Sequence, residues 1–383
     1  MTSAERREAR YQRRRARRAE KKEARNRQYD DFEQVFSYEH LYSSYRKCRR
    51  GVAWKASVQK YIATAPLEVW RTYHRLHTGK YRSPGFYEFD LFERGKHRRI
   101  RSCTFAERVV QRTLCDYALV PVIGATLIHD NGATMPKKGY DFAIRRFEQH
   151  IREHYRKHGA KGYVLTFDFS SFFDNVSHEV LRDILHRNFT DARILRLTEH
   201  LIGMFGEKGL GLGSQISQVL ALVSANRLDH YIKEVLRIRG YGRYMDDGYL
   251  ISDSQEELLR ARDEIRKICD ELGIKLSERK THIWKITRVT WLKTRFYLTP
   301  SGKVIRKIYR RSVTVQRRKL KKLRRKMDAG VLTFDDIARG YLSWDGYARR
   351  FHAWHTRASM RELFISLYKT EVLESGIYQS FRP

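Results

Sequence analysis

Apolar and polar positions recur with several periods along the chain, and each period predicts a different element. Phe32, Val35, Phe36, Leu41 and Tyr45, then Trp54, Trp70, Tyr73 and Leu76, fall at helical spacing, which predicts helices with an apolar face turned inward over residues 29–90. Phe86-Tyr87-Glu88-Phe89-Asp90-Leu91-Phe92 alternates with period two and predicts a strand. Tyr163-Val164-Leu165-Thr166-Phe167 is a continuous apolar run that predicts a buried strand, with Asp168 at its carboxyl end. In Arg243-Tyr244-Met245-Asp246-Asp247-Gly248-Tyr249-Leu250-Ile251 two apolar runs flank Asp-Asp-Gly. That pattern predicts a β-hairpin whose tight turn lets Asp and Gly take positive φ. Residues 131–139 read as a loop, Gly139 as the entry to an amphipathic helix over 141–157, and the Gly-rich stretch 209–218 as the opening of a helix from Val219 to Leu236. Ser254 caps a further helix with Glu256 and Glu257 in its first turn. Residues 1–28, almost entirely Arg, Lys, Glu and Ala without an apolar stripe, read as a solvated helix or a disordered basic arm.

Charge narrows the partners. Lys and Arg number 78 against 44 Asp and Glu over 383 residues, a formal net charge of +34. No fold requires that excess, and it implies a polyanionic partner, most simply nucleic acid. The hydrophobic fraction of 41% and aromatic fraction of 13% exclude a wholly disordered basic protein. No stretch is long and apolar enough to span a membrane, and no signal-peptide core is present. Cys48, Cys103, Cys115 and Cys269 have no metal-ligand spacing, as expected of a reduced, cytoplasmic protein without a zinc site.

The acidic positions carry the chemistry. Two adjacent Asp at a hairpin tip are either a solvated turn or two of the three carboxylates that a divalent cation needs. A charge following a buried strand is costly unless it is paired or metal-bound, and Asp168 supplies that third carboxylate. Phe167-Asp168-Phe169-Ser170-Ser171-Phe172-Phe173-Asp174 followed by Tyr244-Met245-Asp246-Asp247 resembles the palm of a reverse transcriptase. Further motifs agree in order. Glu107-Arg108-Val109-Val110-Gln111 follows the basic strand Lys96 to Arg101, Gly213 with Ser217-Gln218 fits a Gly-x-x-x-Ser-Gln loop, and Leu272 to Thr281 resembles the fourth palm motif. Trp291 to Leu298 looks like the primer-grip hairpin, and Ser343-Trp344-Asp345-Gly346-Tyr347-Ala348 matches the thumb signature.

The resemblance implies an α+β right-hand polymerase of fingers, palm and thumb, with an antiparallel palm sheet and a helical thumb. The implied domains are a basic arm at 1–28, fingers with N-terminal helices at 29–160, the palm at 161–300 and a basic thumb at 301–383. It implies RNA-directed DNA synthesis with two Mg²⁺ ions, Mn²⁺ being the substitute, held by Asp168, the Phe169 carbonyl, Asp246 and Asp247. Lys280 is the implied acid for pyrophosphate, with a surface lysine as the alternative. Lys96 and Arg98 are implied to hold the incoming triphosphate, the alternatives being a solvated face or RNA backbone contact. Phe173 is the implied gate beneath the sugar, Phe172 and Phe173 pointing apart if extended, while Asp174 and His178 are structural. Leu212, Gly213 and Gln218 belong to the loop under the template–nucleotide pair, where Leu212 replaces the Gln of many relatives and puts ordinary fidelity in doubt. Arg306, Arg317, Arg318, Lys321, Lys322 and Arg325 offer a basic thumb surface to nucleic acid. The implied partners are dNTPs, the cDNA product and an RNA template, expected to be a structured non-coding RNA; self-association is left open. Antiphage defence is the first biological role, a diversity-generating retroelement the second, and an idle RNA-binding scaffold the rival from another class.

Overall fold

The computed structural model describes residues 2–93 and 96–375. In chain order its main elements are helix α1 (Ser3–Tyr29), α2 (Tyr38–Cys48), α3 (Ala65–His77), strands β1 (Phe86–Glu93) and β2 (Lys96–Cys103), α4 (Phe105–Leu114), α5 (Tyr140–His158), β3 (Tyr163–Ser170), α6 (His178–His186), α7 (Ala192–Gly203), α8 (Gln215–Ser224), β4 (Tyr241–Tyr244), β5 (Asp247–Ser252), α9 (Gln255–Glu271), β6 (Lys275–Leu276), β7 (His282–Lys285), β8 (Arg288–Trp291), β9 (Thr294–Leu298), β10 (Val304–Ile308), α10 (Arg310–Asp328), α11 (Phe334–Ala348) and α12 (Trp354–Leu367). The chain divides into two compact units. One comprises residues 1–147, 167–248 and 259–281, the other 148–166, 249–258 and 282–383. No helix among the described residues is long and apolar enough to cross a membrane.

The first unit is α+β. It holds β4, the start of β5, the carboxyl end of β3, and β6, neighbours in that order, and the carboxyl end of β3 pairs antiparallel with β6, Phe169 opposite Leu276. The apolar run ending at Phe167 is buried from Val164 onward, but the strand continues through Asp168 to Ser170. Helices α6, α7 and α8 bury Leu181, Leu185, Leu201, Val219 and Leu222. The helix expected from Val219 to Leu236 starts earlier, at Gln215, and ends at Ser224. Ala225 leaves helical geometry at φ −95°, ψ 9°, and a short helix over Asn226–His230 and a π-turn over Tyr231–Val235 follow. β1 and β2 form a separate antiparallel hairpin, Phe89 opposite Ile100. The basic segment at the amino terminus is a helix. Thr2 and Glu5 form a capping box at its start, and Asn26 and Asp30 anchor its far end to Asn188, Thr190 and Asp191. Between those ends its Arg and Lys side chains are exposed, except for the half-buried Arg25.

In the second unit the amino half of β3 pairs antiparallel with β7, Leu165 opposite Ile283. Strands β8, β9 and β10 form a three-stranded antiparallel sheet, and Leu292 and Lys293 take positive φ in the tight β8–β9 turn. Beyond it α10, α11 and α12 close around Leu320, Ile337, Tyr341, Met360, Phe364 and Tyr368. Asp345 of the Ser-Trp-Asp-Gly-Tyr-Ala signature accepts both guanidinium arms of Arg357, at 2.7 and 2.9 Å. The signature therefore joins α11 to α12 by a bidentate ion pair.

Candidate active site

The three carboxylates singled out in the sequence lie on two elements of the first unit. Asp168 is buried within β3, facing the β4–β5 hairpin, where Asp246 is half-buried in the turn and Asp247 begins β5. The Phe169 amide donates to the Asp246 carbonyl at 3.1 Å, so backbone pairing brings the two motifs together. Burial pushes the Asp246 carboxyl above the usual aspartate range, and the Asp168 charge pushes it further, against smaller opposing effects of the backbone, Lys280 and Arg243. Lys280, in a short 3₁₀ turn after β6, donates to Asp168 Oδ1 at 2.6 Å. The carboxylates are therefore compensated unequally. Asp168 has a cation in hand, whereas Asp246 meets its neighbour's negative charge.

Among the described residues no group of three His, Cys, Asp or Glu side chains could hold a metal ion. The donor set nonetheless suits Mg²⁺. That ion is ordinarily held by one or two carboxylates together with substrate phosphates and water, not by an all-protein cage. Two repelling carboxylates, one of them half-exposed, match that description, with Asp247 next to Asp246 in the chain.

The turn itself departs from expectation. Positive φ falls on Met245, at +54°, not on Asp or Gly. Gly248 lies inside β5, and a Cβ there would meet the Phe167 ring at 2.1 Å. The glycine is required for space beneath the motif, not for the turn. Gly248→Ala should destabilise the protein by about 1–3 kcal/mol through overpacking, and Phe167→Leu by about 1–2 kcal/mol through lost burial. Chemical denaturation of the double variant should recover at least half of the alanine penalty; strictly additive losses would place the conflict elsewhere.

A buried charge pair fixes the turn from behind. Arg243 and Asp229 are both fully buried, with Nη2 to Oδ2 at 2.6 Å and Nε to Oδ1 at 2.8 Å. Arg243 also donates to the carbonyls of Met245 at 2.8 Å and Leu222 at 2.9 Å, and Tyr241 donates to Asp229. The guanidinium thus ties helix α8 and the Met245 carbonyl to one carboxylate. Neither Asp229 nor Arg243 stands out in the sequence reading. The available signal was an arginine inside a strand otherwise buried and an aspartate inside a helical apolar stretch, which must find each other. The loop at 131–139 adds a second restraint, because the Gly132 amide donates to the Arg243 carbonyl at 2.8 Å.

The remaining predicted positions divide. Phe172 and Phe173 are not extended. Ser171 takes φ +45° and starts a helical turn over Phe172–Asn175, which still separates them, Phe172 in the core and Phe173 half-buried. The Phe173 carbonyl accepts from the Leu210 amide at 2.7 Å, so the gate candidate and the Gly-rich loop are joined. His178 is buried and bonds the Gly209 carbonyl, a structural role. Leu212 is half-buried, Gly213 and Gln218 exposed. Gly213 has φ +109° and passes within 3.1 Å of the Arg101 carbonyl, measured from where a Cβ would sit, and Arg101 donates its amide to the Leu212 carbonyl. Lys96 and Arg98 lie on β2, but their side chains are outside the described residues. In the second unit Arg317, Arg318, Lys321, Lys322 and Arg325 are exposed on α10, with Arg317 donating to Ser359. Arg306 is instead half-buried against Glu148 at 2.9 Å.

Comparisons with known proteins bear on these same residues. Over 149 residues the chain is 27% identical to Protein YkfC of Escherichia coli (strain K12), a stretch that is 37% of this chain and 38% of that protein. Among solved structures it is similar to telomerase from Candida albicans in complex with a TWJ fragment of telomeric RNA, at TM-score 0.46 and 10% identity, covering 80% of this chain and 65% of that one. It is also similar to a C-terminally truncated apo telomerase from Candida tropicalis, at TM-score 0.43 and 12% identity, covering 58% and 55%. The chain thus spans less than two thirds of each of these relatives. The profile described as reverse transcriptase (RNA-dependent DNA polymerase) matches residues 92–298, more than half of the chain. Since that span contains Asp168, the Asp246–Asp247 turn, the Gly-rich loop and Lys280, the chain belongs to the reverse transcriptase family.

Proposed function

We propose that this reverse transcriptase extends a DNA strand on an RNA template by metal-assisted nucleotidyl transfer. The observation that carries the reading is the pairing of β3 with the Asp246 turn, which sets Asp168 and Asp246 against each other with Lys280 alongside. Asp168, Asp246 and the Phe169 carbonyl, with Asp247 close behind, would hold two Mg²⁺ ions. Bound there, such ions lower the pKa of a primer 3′-hydroxyl and offset charge on the triphosphate. Lys280, bonded to Asp168, is the candidate to protonate the leaving pyrophosphate. Phe173, held through its carbonyl to the loop at Leu210, is the candidate to reject a ribose 2′-hydroxyl. Leu212 offers the nucleotide no polar side chain, which fits relaxed copying. Lys96 and Arg98 are proposed for the triphosphate.

The test is extension of a DNA primer annealed to RNA or to DNA, with dNTPs or rNTPs supplied separately. RNA-templated dNTP incorporation is expected, and Phe173→Ala should admit rNTPs. Extension on DNA alone, or equal use of both nucleotide classes by the unaltered protein, would contradict the proposal.

The template is proposed to be a dedicated, structured non-coding RNA. Its support is charge, since +34 exceeds what two ions and one nucleotide require, and α1 and α10 expose dense Arg and Lys. Each phosphate contact releases counterions, giving a slope of log affinity against log salt of about −0.9 for duplex and −0.7 for single strands. Deleting residues 1–26 should flatten that slope and weaken RNA binding while leaving extension of a preformed primer–template intact. Unchanged affinity and slope would reduce α1 to a solubilising tail. Antiphage defence is the role proposed first. Diversity generation is the alternative, favoured by Gly213 with Ser217-Gln218 and by Leu212; a template repeat beside a variable-protein gene would decide for it.

A further inference from the structure

A cleft of about 570 Å³ opens in the first unit, bounded by Phe32, the end of α3, the segment after it and one face of α7. Its lining is cationic. Arg82 donates to the Gly79 and Tyr81 carbonyls. Arg193 lies over the Phe32 ring at 4.5 Å and pairs with Glu33, which also contacts His77 at 2.9 Å. Arg196, one turn along α7, is exposed and makes no hydrogen bond or ion pair among the described residues. One acid is thus shared between Arg193 and His77, while Arg82 and Arg196 have no carboxylate partner among the described residues. The volume lies within the usual range for small-molecule sites and is far larger than a lone phosphate. The half-buried His77 ring, packed edge to face on buried Phe32 at 5.7 Å, and the Tyr81 ring supply an aromatic wall.

The cleft also has a wired connection. The Tyr81 hydroxyl donates to Glu107. Glu107 accepts from the Gln111 amide at 3.2 Å, and Gln111 accepts from the Ser214 hydroxyl at 2.6 Å. Glu107, Gln111 and Ser214 are all buried, so each depends on its neighbour to stay satisfied. Ser214 follows Gly213 and is the N-cap residue of α8, in the loop proposed to lie under the template–nucleotide pair.

We propose that this cleft binds a nucleoside phosphate, with phosphate on Arg82 and Arg196 and the base against the His77 and Tyr81 rings. Occupancy displaces Tyr81 and, through Glu107 and Gln111, sets the Gly-rich loop, so the ligand changes the rate of nucleotide addition. The ligand is either a free nucleotide or the phosphorylated end of an RNA. A ligand shifts such a loop only as far as it binds one arrangement better, which makes the coupling measurable from both ends.

The probe is GDP carrying a methylanthraniloyl fluorophore, titrated into the full-length protein in EDTA. Binding is expected, weakened about tenfold or more by Arg196→Glu, the loss of roughly one charge-assisted hydrogen bond with repulsion added, and unchanged by Asp246→Asn. Displacement by GMP assigns a free nucleotide. Displacement only by a 5′-phosphorylated RNA tetramer, and not by its 5′-hydroxyl form, assigns the RNA end. Equal binding to the unaltered protein and to folded Arg196→Glu overturns the site. This arm needs no polymerase activity, so it stands if the proposed synthesis fails. In primer extension GDP should alter the rate for the unaltered protein, and neither Tyr81→Phe nor Ser214→Ala, which cut the relay at opposite ends, should respond although both still bind the probe. A rate insensitive to GDP in the unaltered protein, or a response retained by both folded variants, overturns the coupling.

Discussion

Arg243→Met alone should lose about 3–5 kcal/mol of stability, because it leaves the fully buried Asp229 charge without its partner. Arg243→Met with Asp229→Leu should regain most of that loss, since a buried ion pair replaced by apolar groups of similar volume is often neutral. Activity should not return with it. The guanidinium also donates to the Met245 carbonyl at 2.8 Å, and methionine cannot hold the turn that carries Asp246. A stable double variant with primer extension reduced by at least about a hundredfold is the expected result. Recovery of both stability and extension would make the pair a packing device only. Failure to recover stability would point to Leu222 and Tyr241, which share the network.

Asp246→Asn should do the opposite to stability. Folding raises the Asp246 pKa, through burial and then the Asp168 charge, so the folded state binds that proton more tightly than the unfolded chain does. Its contribution is fully present below the ordinary aspartate value of about 3.9 and is lost as pH rises through the folded value. At neutral pH the ionised carboxylate therefore destabilises the metal-free protein, and asparagine removes that penalty. The melting temperature of Asp246→Asn in EDTA should exceed that of the unaltered protein at pH 7, and the difference should shrink to nothing below about pH 4. Adding Mg²⁺ should raise the melting temperature of the unaltered protein more than that of the variant. A variant that melts lower at pH 7 would make Asp246 a structural aspartate. Asp168→Asn should show a smaller gain, because it also breaks the 2.6 Å contact with Lys280.

The elements that carry these residues were legible where the pattern is local. An apolar run marks β3, alternation marks β1, and Gly139 marks the start of α5. The motif order pointed to Asp168, Asp246 and Lys280, and the chain does bring those three side chains near one another. What could not be read depends on partners distant in sequence or on geometry without a composition signal. Nothing local tells that Gly248 is small because Phe167 stands over it, or that Met245 takes the left-handed conformation in place of its Asp and Gly neighbours. The Arg243–Asp229 pair and the chain from Tyr81 to Ser214 join residues 14 and up to 103 positions apart. Ala225 interrupts the helix after the Gly-rich loop although alanine favours helix; tertiary packing overrides propensity there.

The proposed joint role of Asp168 and Asp246 is RNA-templated DNA synthesis. It is tested most directly by sequencing what the protein adds to a DNA primer on an RNA template of defined sequence, with Mg²⁺ and all four dNTPs. The unaltered protein should add a strand complementary to the template. Asp246→Ala/Asp247→Ala and Asp168→Ala, folded by circular dichroism and still binding the primer–template, should add nothing measurable. Extension by either variant at the unaltered rate, or no templated product from the unaltered protein with Mg²⁺ or Mn²⁺, would contradict the account.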